Sequence, residues 1–499
     1  MPSFIGLLLV LFGGVPLVYI VGRLQAKQGW AGPDWAHWLT VGVFIAAWWP
    51  FGLAVRAPGA SYEIGVVRLT FDGLGVLLAA LALGLGTLAA IYSGPYLAEA
   101  PHREHYYALL LALIGSMVGL GCSADLFNVW VWFEVLSVAS VLLVGFEQQR
   151  AAALDAMVKL LIQSAVGSAL ILFGIALVIL SGGSFDLALL TEGALPGPLR
   201  VVAGGLFVVG FGVKAALVPL HTWLPDAHAE APSGISALLS GVVIEAALLV
   251  LLRVLAAMFG VSLFWGALLM ILGAANMLVG NLMALGQTQV KRLLAYSSLS
   301  QMGYILLGIG LGLHGTLNGL NGGLFHVLTH GLMKGLAFLA AGALLFVLHH
   351  SANPDHDSLR IDDLAGAGRR YPLVALTLSL AVLGLAGLPP LAGFMSKWQV
   401  LAAGVGSGEV WVLLLVLFAG LNSVLSLGYY APLVNTLYKR QPSPVVAQGV
   451  PLSMGLTAPL AVLGALIVVL GVWPGLAQPL VSLASQAVLP LPISPVAGW

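Results

Sequence analysis

The sequence predicts an all-α, polytopic membrane protein of about 14 transmembrane helices, with two inverted five-helix repeats and broken seventh and twelfth helices. Three observations point there. Hydrophobic residues make up 60% of the 499 and charged residues 8%, at a mean hydropathy of +1.04. Apolar runs of the roughly 20 residues that cross a bilayer recur from end to end. Two of those runs, five spans apart, are interrupted by prolines set beside polar residues.

Dividing the chain at polar or Pro/Gly-rich segments places spans near 4–22, 37–56, 70–94, 106–123, 125–145, 155–181, 199–219, 233–257, 262–285, 293–312, 321–347, 372–403, 409–432 and 453–473. The first run, "FIGLLLVLFGGVPLVYIVG", lacks a basic leader and a small-residue cleavage site, so it reads as a retained span. The Pro-rich tail after 473 is left without a further span. Loops after odd-numbered spans hold Arg23, Lys27, Arg103, Arg150, Lys291, Arg292, Arg360, Arg369, Arg370, Lys439 and Arg440, whereas loops after even-numbered spans hold Arg56, Arg68 and Arg200. This positive-inside bias puts the odd-following loops in the cytoplasm and both termini outside, in the cytoplasmic membrane of a prokaryote. The largest loop, 349–372, is too short for a catalytic domain, so function must lie within the membrane. The chain then divides into residues 1–105 (helices 1–3), 106–258 (first repeat), 259–435 (second repeat) and 436–499 (helix 14 and tail).

Acidic and basic residues balance at 19 each, which argues against nucleic acid as a partner. One cysteine, Cys122, excludes an internal disulfide framework and a cysteine-ligated metal cluster. His326 and His330 lie four residues apart on one helix face, so they cannot straddle a haem; no cofactor is expected.

The breaks are chemically informative. "VKAALVPLHTWLPDAHAEAPSG" sets Pro219, Pro225 and Pro232 among polar residues; "LAGLPPLAGFMSKW" sets Pro389 and Pro390 beside Gly387 and Gly393. Proline removes a backbone donor and clashes with the preceding turn. In lipid such a break survives only where protein or water satisfies the freed groups. Each break has a lysine nearby, Lys214 or Lys397, a pattern of broken helices at a transport site.

Further ionisable residues sit inside apolar runs: Glu134 in "VWFEVLSV", Glu245 in "SGVVIEAALLV", and His326, His330 and Lys334 in "FHVLTHGLMKGLAF". An isolated charge at the bilayer centre costs roughly 2.5–3.5 kcal/mol on insertion scales. Pairing, neutralisation or hydration must offset that, so these groups read as a polar path with protons as the passenger. The 326–330–334 stripe rises about 6 Å per step, too far for direct transfer without intervening water. Lys159, His221, Asp226 and His228 are supporting candidates around the seventh-span break. Asp72 and Arg253 read as span-boundary residues, and Trp130, Trp132 and Phe133 as packing around Glu134.

The motifs "DLFNVWVWFEVLSVAS", "VKAALVPLHTWLPDAHAEAPS", "VKRLLAYSSLSQMGY", "FHVLTHGLMKGLAF" and "GLPPLAGFMSKW", in that order, cover roughly 70–440. In them the chain resembles the antiporter-like membrane subunits shared by respiratory complex I, multisubunit cation/proton antiporters of Mrp type and membrane-bound hydrogenases. The resemblance implies 14 helices in two inverted repeats and sister membrane subunits as partners. It implies H+ as the transported ion, with Na+ the alternative, and no redox chemistry in this chain. By motif, Glu134 and Lys214 would be the coupled pair of one half-channel. His326, His330 and Lys334 would form the central relay, and Lys397 the terminal group toward the outside. One position departs from the family: where a lysine is usual in the eighth helix stands Glu245, which inverts the local charge logic and leaves open a scaffold that has lost transport.

Overall fold

The computed structural model describes residues 2–29, 32–65, 67–181, 183–190, 197–350 and 358–489. Parts of the 349–372 loop and the last ten residues of the tail lie outside the described residues. The helices in chain order are α1 (Ser3–Gln28), α2 (Trp35–Ala54), α3 (Gly73–Tyr96), α4 (Arg103–Cys122), α5 (Leu126–Val144), α6 (Ala151–Leu180), α7 (Gly197–Lys214), α8 (Leu224–Glu230), α9 (Ser233–Leu238), α10 (Ile244–Phe259), α11 (Leu263–Leu285), α12 (Val290–Leu313), α13 (Leu317–His349), α14 (Ala367–Arg370), α15 (Pro372–Ala386), α16 (Ala392–Gly406), α17 (Val410–Leu437), α18 (Pro444–Gln448), α19 (Met454–Val472) and α20 (Gln478–Val488). Helices α9 and α10 are joined through a π turn at Leu239–Val243 into one span, Ser233–Phe259. Among the described residues 13 helices are long and apolar enough to cross a membrane. The interrupted twelfth span, α15 plus α16, supplies the fourteenth.

Acidic residues at the span ends act as caps. Asp72 accepts from Gly75 N at 2.9 Å and Asp125 from Asn128 N at 2.7 Å, each satisfying a donor that a helix N-terminus leaves orphaned. Arg253, near the end of α10, donates through one guanidinium nitrogen to both carboxylate oxygens of Asp72, at 2.6 and 2.8 Å. It also donates to the carbonyls of Gly121 and Ser123, both at 2.8 Å. One guanidinium thus ties the start of α3 and the end of α4 to α10, so the boundary reading of both residues holds.

A two-stranded antiparallel hairpin, β1 (Ala60–Ile64) and β2 (Val67–Phe71), lies between α2 and α3, where the sequence reading has no strand. Its residues alternate in polarity over a stretch whose end the hydropathy pattern gives to the third span. Phe71 stacks on Phe4 at 5.8 Å, which anchors the hairpin to α1. The tail adds no further span among the described residues, and its short helix α20 folds back onto the start of α3. Gly73 permits the approach: a Cβ there would stand 1.9 Å from the Leu483 carbonyl oxygen.

The apolar window of the span formed by α9 and α10 is wholly buried, whereas that of α17 is 22% buried. Helix α13 crosses the interior and packs against α12, α15, α16, α19 and the α9–α10 span. Gly241 in the π turn and Gly331 on α13 meet backbone to backbone; a Cβ on Gly331 would fall 2.5 Å from the Gly241 oxygen. That close approach brings Glu245 to the face of α13 that carries the histidines.

Candidate functional site

The π turn immediately precedes Glu245, whose side chain is fully buried. Such a bulge adds a residue to the turn and re-aims the side chains beyond it, and it recurs at functional sites. Here it presents Glu245 Oε1 to His330 Nδ1 at 2.5 Å. Glu245 Oε2 and His330 Nε2 have no hydrogen-bond partner among the described residues. Glu245 therefore contacts the α13 stripe directly.

His326 and His330 have ring centroids 6.1 Å apart, in keeping with the predicted stripe. Each rung, however, turns to a different helix. His326 Nδ1 meets Ser396 Oγ of α16 at 2.8 Å, and Thr329 donates to the same hydroxyl at 2.9 Å. Lys334 donates to the Leu294 carbonyl at 2.7 Å and to Ser297 Oγ at 2.5 Å, both on α12. Ser297 is hydrogen-bonded in turn to Tyr430 OH of α17. Helix α13 is thus a hub from which polar contacts radiate.

Helix α7 ends at Lys214, five residues before the predicted end of the seventh span. Ala216 takes φ +55°, a left-handed conformation uncommon outside glycine. The groups this frees are met by other side chains. Trp223 Nε1 donates to the Val213 carbonyl at 2.8 Å, and Asn276 accepts from Val218 N at 2.8 Å while donating to the Ala216 carbonyl at 3.3 Å. Lys214 is fully buried and its Nζ has no hydrogen-bond partner among the described residues. Glu134 accepts instead from Ser168 Oγ of α6, which itself accepts from Trp130 Nε1 at 2.9 Å. Glu134 and Lys214 thus make neither a hydrogen bond nor an ion pair within 4.0 Å in this conformation. Of the aromatic group expected around Glu134, Trp130 reaches its hydroxyl partner. Trp132 packs on Phe12 at 5.3 Å and Phe133 on Phe211 at 5.3 Å.

The second break differs. Helix α15 ends at Gly387, with φ +84°, and Lys397 Nζ reaches back to the Leu385 carbonyl at 2.7 Å and to Ser423 Oγ at 3.1 Å. Gln301 donates to the same carbonyl at 2.9 Å. Lys397 Nζ also lies 4.2 Å from the Tyr304 ring centroid, within cation–π range.

The supporting candidates divide. Asp226 pairs with Lys159 at 3.0 Å and Arg292 at 2.7 Å; Lys159 also meets Asp155 at 2.7 Å. Lys159 keeps 47% side-chain exposure, so this network holds α8 to α6 and α12 at the surface. His221 is half-buried, and its Nδ1 has no partner among the described residues. His228 is fully buried and stacks on Phe338 at 4.7 Å, with neither ring nitrogen hydrogen-bonded among the described residues.

The sequence places Lys291 in a loop, but it begins α12 and is buried. It donates to the carbonyls of Ala229 at 3.1 Å and Ala231 at 2.5 Å, which flank the C-terminal end of α8 close to His228. Its position in "VKRLLAYSS" beside Arg292 hides it, because adjacent basic residues at a span end read as a solvated boundary. The hydroxyl and amide partners Ser168, Ser297, Ser396, Ser423, Tyr430, Asn276 and Gln301 also escape a sequence reading, since such residues carry no signal until tertiary contacts are known.

Comparison with known proteins places the chain in a family. Positions 123–423 match the family described as NADH:quinone oxidoreductase/Mrp antiporter, transmembrane. The chain belongs to this family. Subunit N of the F(420)H(2) dehydrogenase of Methanosarcina mazei is 35% identical over 451 residues, covering 88% of this chain and 89% of that protein. A chain of the archaeal membrane-bound sulfane sulfur reductase, described as a respiratory membrane complex, superposes with TM-score 0.87 at 26% identity, covering 98% of each. A chain of respiratory complex I from Thermus thermophilus gives TM-score 0.75 at 28% identity, covering 94% of this chain and 98% of that one. The helical architecture and the family expected from the motifs are thereby established.

Proposed function

We propose that the chain is the antiporter-like, proton-translocating subunit of a multisubunit membrane complex, with redox or cation-exchange chemistry carried elsewhere in that complex. Sister membrane subunits, lipid, and H+ (or Na+) are its partners. The cytoplasmic membrane of a prokaryote is its location, with both termini outside. Residues 106–258 and 259–435 form its two inverted five-helix repeats, flanked by 1–105 and 436–499. The observation that carries this reading is the Glu245–His330 contact. It links the helix set that holds Glu134 and Lys214 to the α13 hub, which continues to Lys334 and, through His326 and Ser396, to the helix bearing Lys397.

In this mechanism protonation of Lys214 depends on its distance from Glu134, because a nearby carboxylate favours the charged form of an amine and its withdrawal favours proton release. With Glu134 held by Ser168, Lys214 is free to pass its proton toward Glu245 and His330. Re-pairing reloads it. The steps between rungs need water, and the unpartnered Glu245 Oε2, His326 Nε2 and His330 Nε2 are where it would bind. Lys214→Ala and Glu134→Ala, purified with the partner subunits and reconstituted in vesicles, are expected to assemble but not to acidify the lumen. Wild-type acidification in either variant would sink the reading.

A further inference from the structure

The first turn of α4 carries His102, Glu104 and His105, apart from the buried path. Their side chains offer one ligand atom each, all within 4.8 Å of one another. His102 Nδ1 lies 3.8 Å and His105 Nδ1 3.5 Å from Glu104 Oε1. The two rings stand 5.6 Å apart at 86°, edge to face rather than stacked. Glu104 is buried, with 6% side-chain exposure, while the histidines keep 65% and 45% and open to solvent.

The surroundings fix the carboxylate. Gly22 of α1 leaves room for it; a Cβ there would lie 2.6 Å from Glu104 Cβ. His102 takes φ 56° and makes no side-chain cap bond to α4, so its ring is spared the usual role of a residue at that place. Arg23 NH1 stands 3.5 Å from Glu104 Oε1 as a half-exposed counter-cation. Cavities of about 770 Å³ and about 450 Å³ border the group, the first lined by His102 and His105, the second by His102 and Glu104.

The geometry points to an open three-ligand site for a borderline transition-metal dication, Zn2+ in particular, formed by His102, Glu104 and His105. Two imidazoles and one carboxylate match the three-protein-ligand set of zinc sites that keep a position for water. The nitrogen donors disfavour Ca2+ and Mg2+, which take oxygen. Bond lengths of about 2.0–2.2 Å require the donor atoms to draw together by roughly 1 Å, which rotation of two solvent-open rings supplies. Arg23 is displaced toward water as the ion arrives, so Zn2+ and the guanidinium compete for Glu104.

The test is Zn2+ titration of the untagged chain in its complex, against a chromophoric chelator, with Co2+ as a spectroscopic substitute. One saturable Zn2+ per chain is expected. His102→Ala and His105→Ala should each weaken it by roughly tenfold or more, and Arg23→Gln should tighten it. Co2+ should give the intense visible bands of a four- or five-coordinate ion. The proposal is overturned if the double variant H102A/H105A binds Zn2+ as the wild type does. Pale, water-like Co2+ spectra in the wild-type protein overturn it without any variant.

Discussion

The two broken spans share one plan and use their lysines differently. In both a left-handed residue, Ala216 or Gly387, follows the end of a half-helix, and both place a buried lysine beside the break. At the first, Trp223 and Asn276 satisfy the freed backbone, which leaves Lys214 Nζ without a hydrogen-bond partner among the described residues, 5.9 Å from the Trp223 ring centroid, and its candidate counter-charge, Glu134, on Ser168. At the second, Lys397 itself takes the Leu385 carbonyl, with Ser423 as its other partner. A buried ammonium without partners is the costly state, and a docked one the cheaper state. The difference teaches that two breaks of one plan leave one lysine without a hydrogen bond and dock the other.

The sharpest way to break the comparison is to remove each lysine in turn. Lys214→Ala and Lys397→Ala should both abolish vesicle acidification, because each ends a different part of the path. Their folding consequences should diverge. Lys214→Ala removes an unpartnered polar group and should leave thermal stability unchanged or raised. Lys397→Ala takes away one of two donors on Leu385 and a bond to Ser423, and should lower stability by about 1 kcal/mol, the net value of a typical hydrogen bond. Equal melting behaviour in the two variants would remove the distinction between a free and a docked lysine.

Next in size is Glu245. In Glu245→Gln the amide keeps a polar contact with His330 but cannot release a proton, so transport should fall steeply while assembly persists. Glu245→Lys restores the residue type usual in the family but faces His330, whose partner it replaces with a cation. Transport should fall there as well, unless the imidazole turns away. Acidification rates decide the matter: indifference to both substitutions favours a scaffold that has lost transport.

How far a sequence can reach is clear from these residues. Titratable groups in apolar runs announce themselves because a charge in lipid is expensive, so Glu134, Lys214, Glu245, His326, His330, Lys334 and Lys397 all stand out in the sequence. Helical spacing also puts the three α13 groups on one stripe. Their partners are beyond its reach, because a serine or asparagine in a span costs little and is common. Which helix faces each rung depends on α10, α12 and α16 packing around α13, and no local pattern encodes that. The α8 region misleads for the opposite reason. Lys291 stands next to Arg292, and charge at a span end ordinarily means water, yet the fold turns one side chain inward and the other to Asp226.

Lys291 therefore sharpens the comparison at a finer scale. Its two carbonyl bonds hold the C-terminal end of α8, the second half of the first break, as Lys397 holds the first half of the second break. Lys291→Met keeps an unbranched apolar stem but leaves the Ala229 and Ala231 carbonyls without their donor. A loss of about 1–3 kcal/mol is expected from the unsatisfied buried acceptors, with increased proteolytic cutting near residues 229–232. Transport should slow without vanishing if Lys291 only secures α8. Complete loss with unchanged proteolysis would instead place Lys291 on the path itself, next to His228, whose ring lies over Phe338 one helical turn beyond Lys334. The smallest effect belongs to Trp223→Phe, which preserves the ring beside Lys214 and deletes the donor to Val213. It should cost about 1 kcal/mol of stability and leave acidification near wild type, because Trp223 and Asn276 share the backbone of the first break while its titratable group is Lys214.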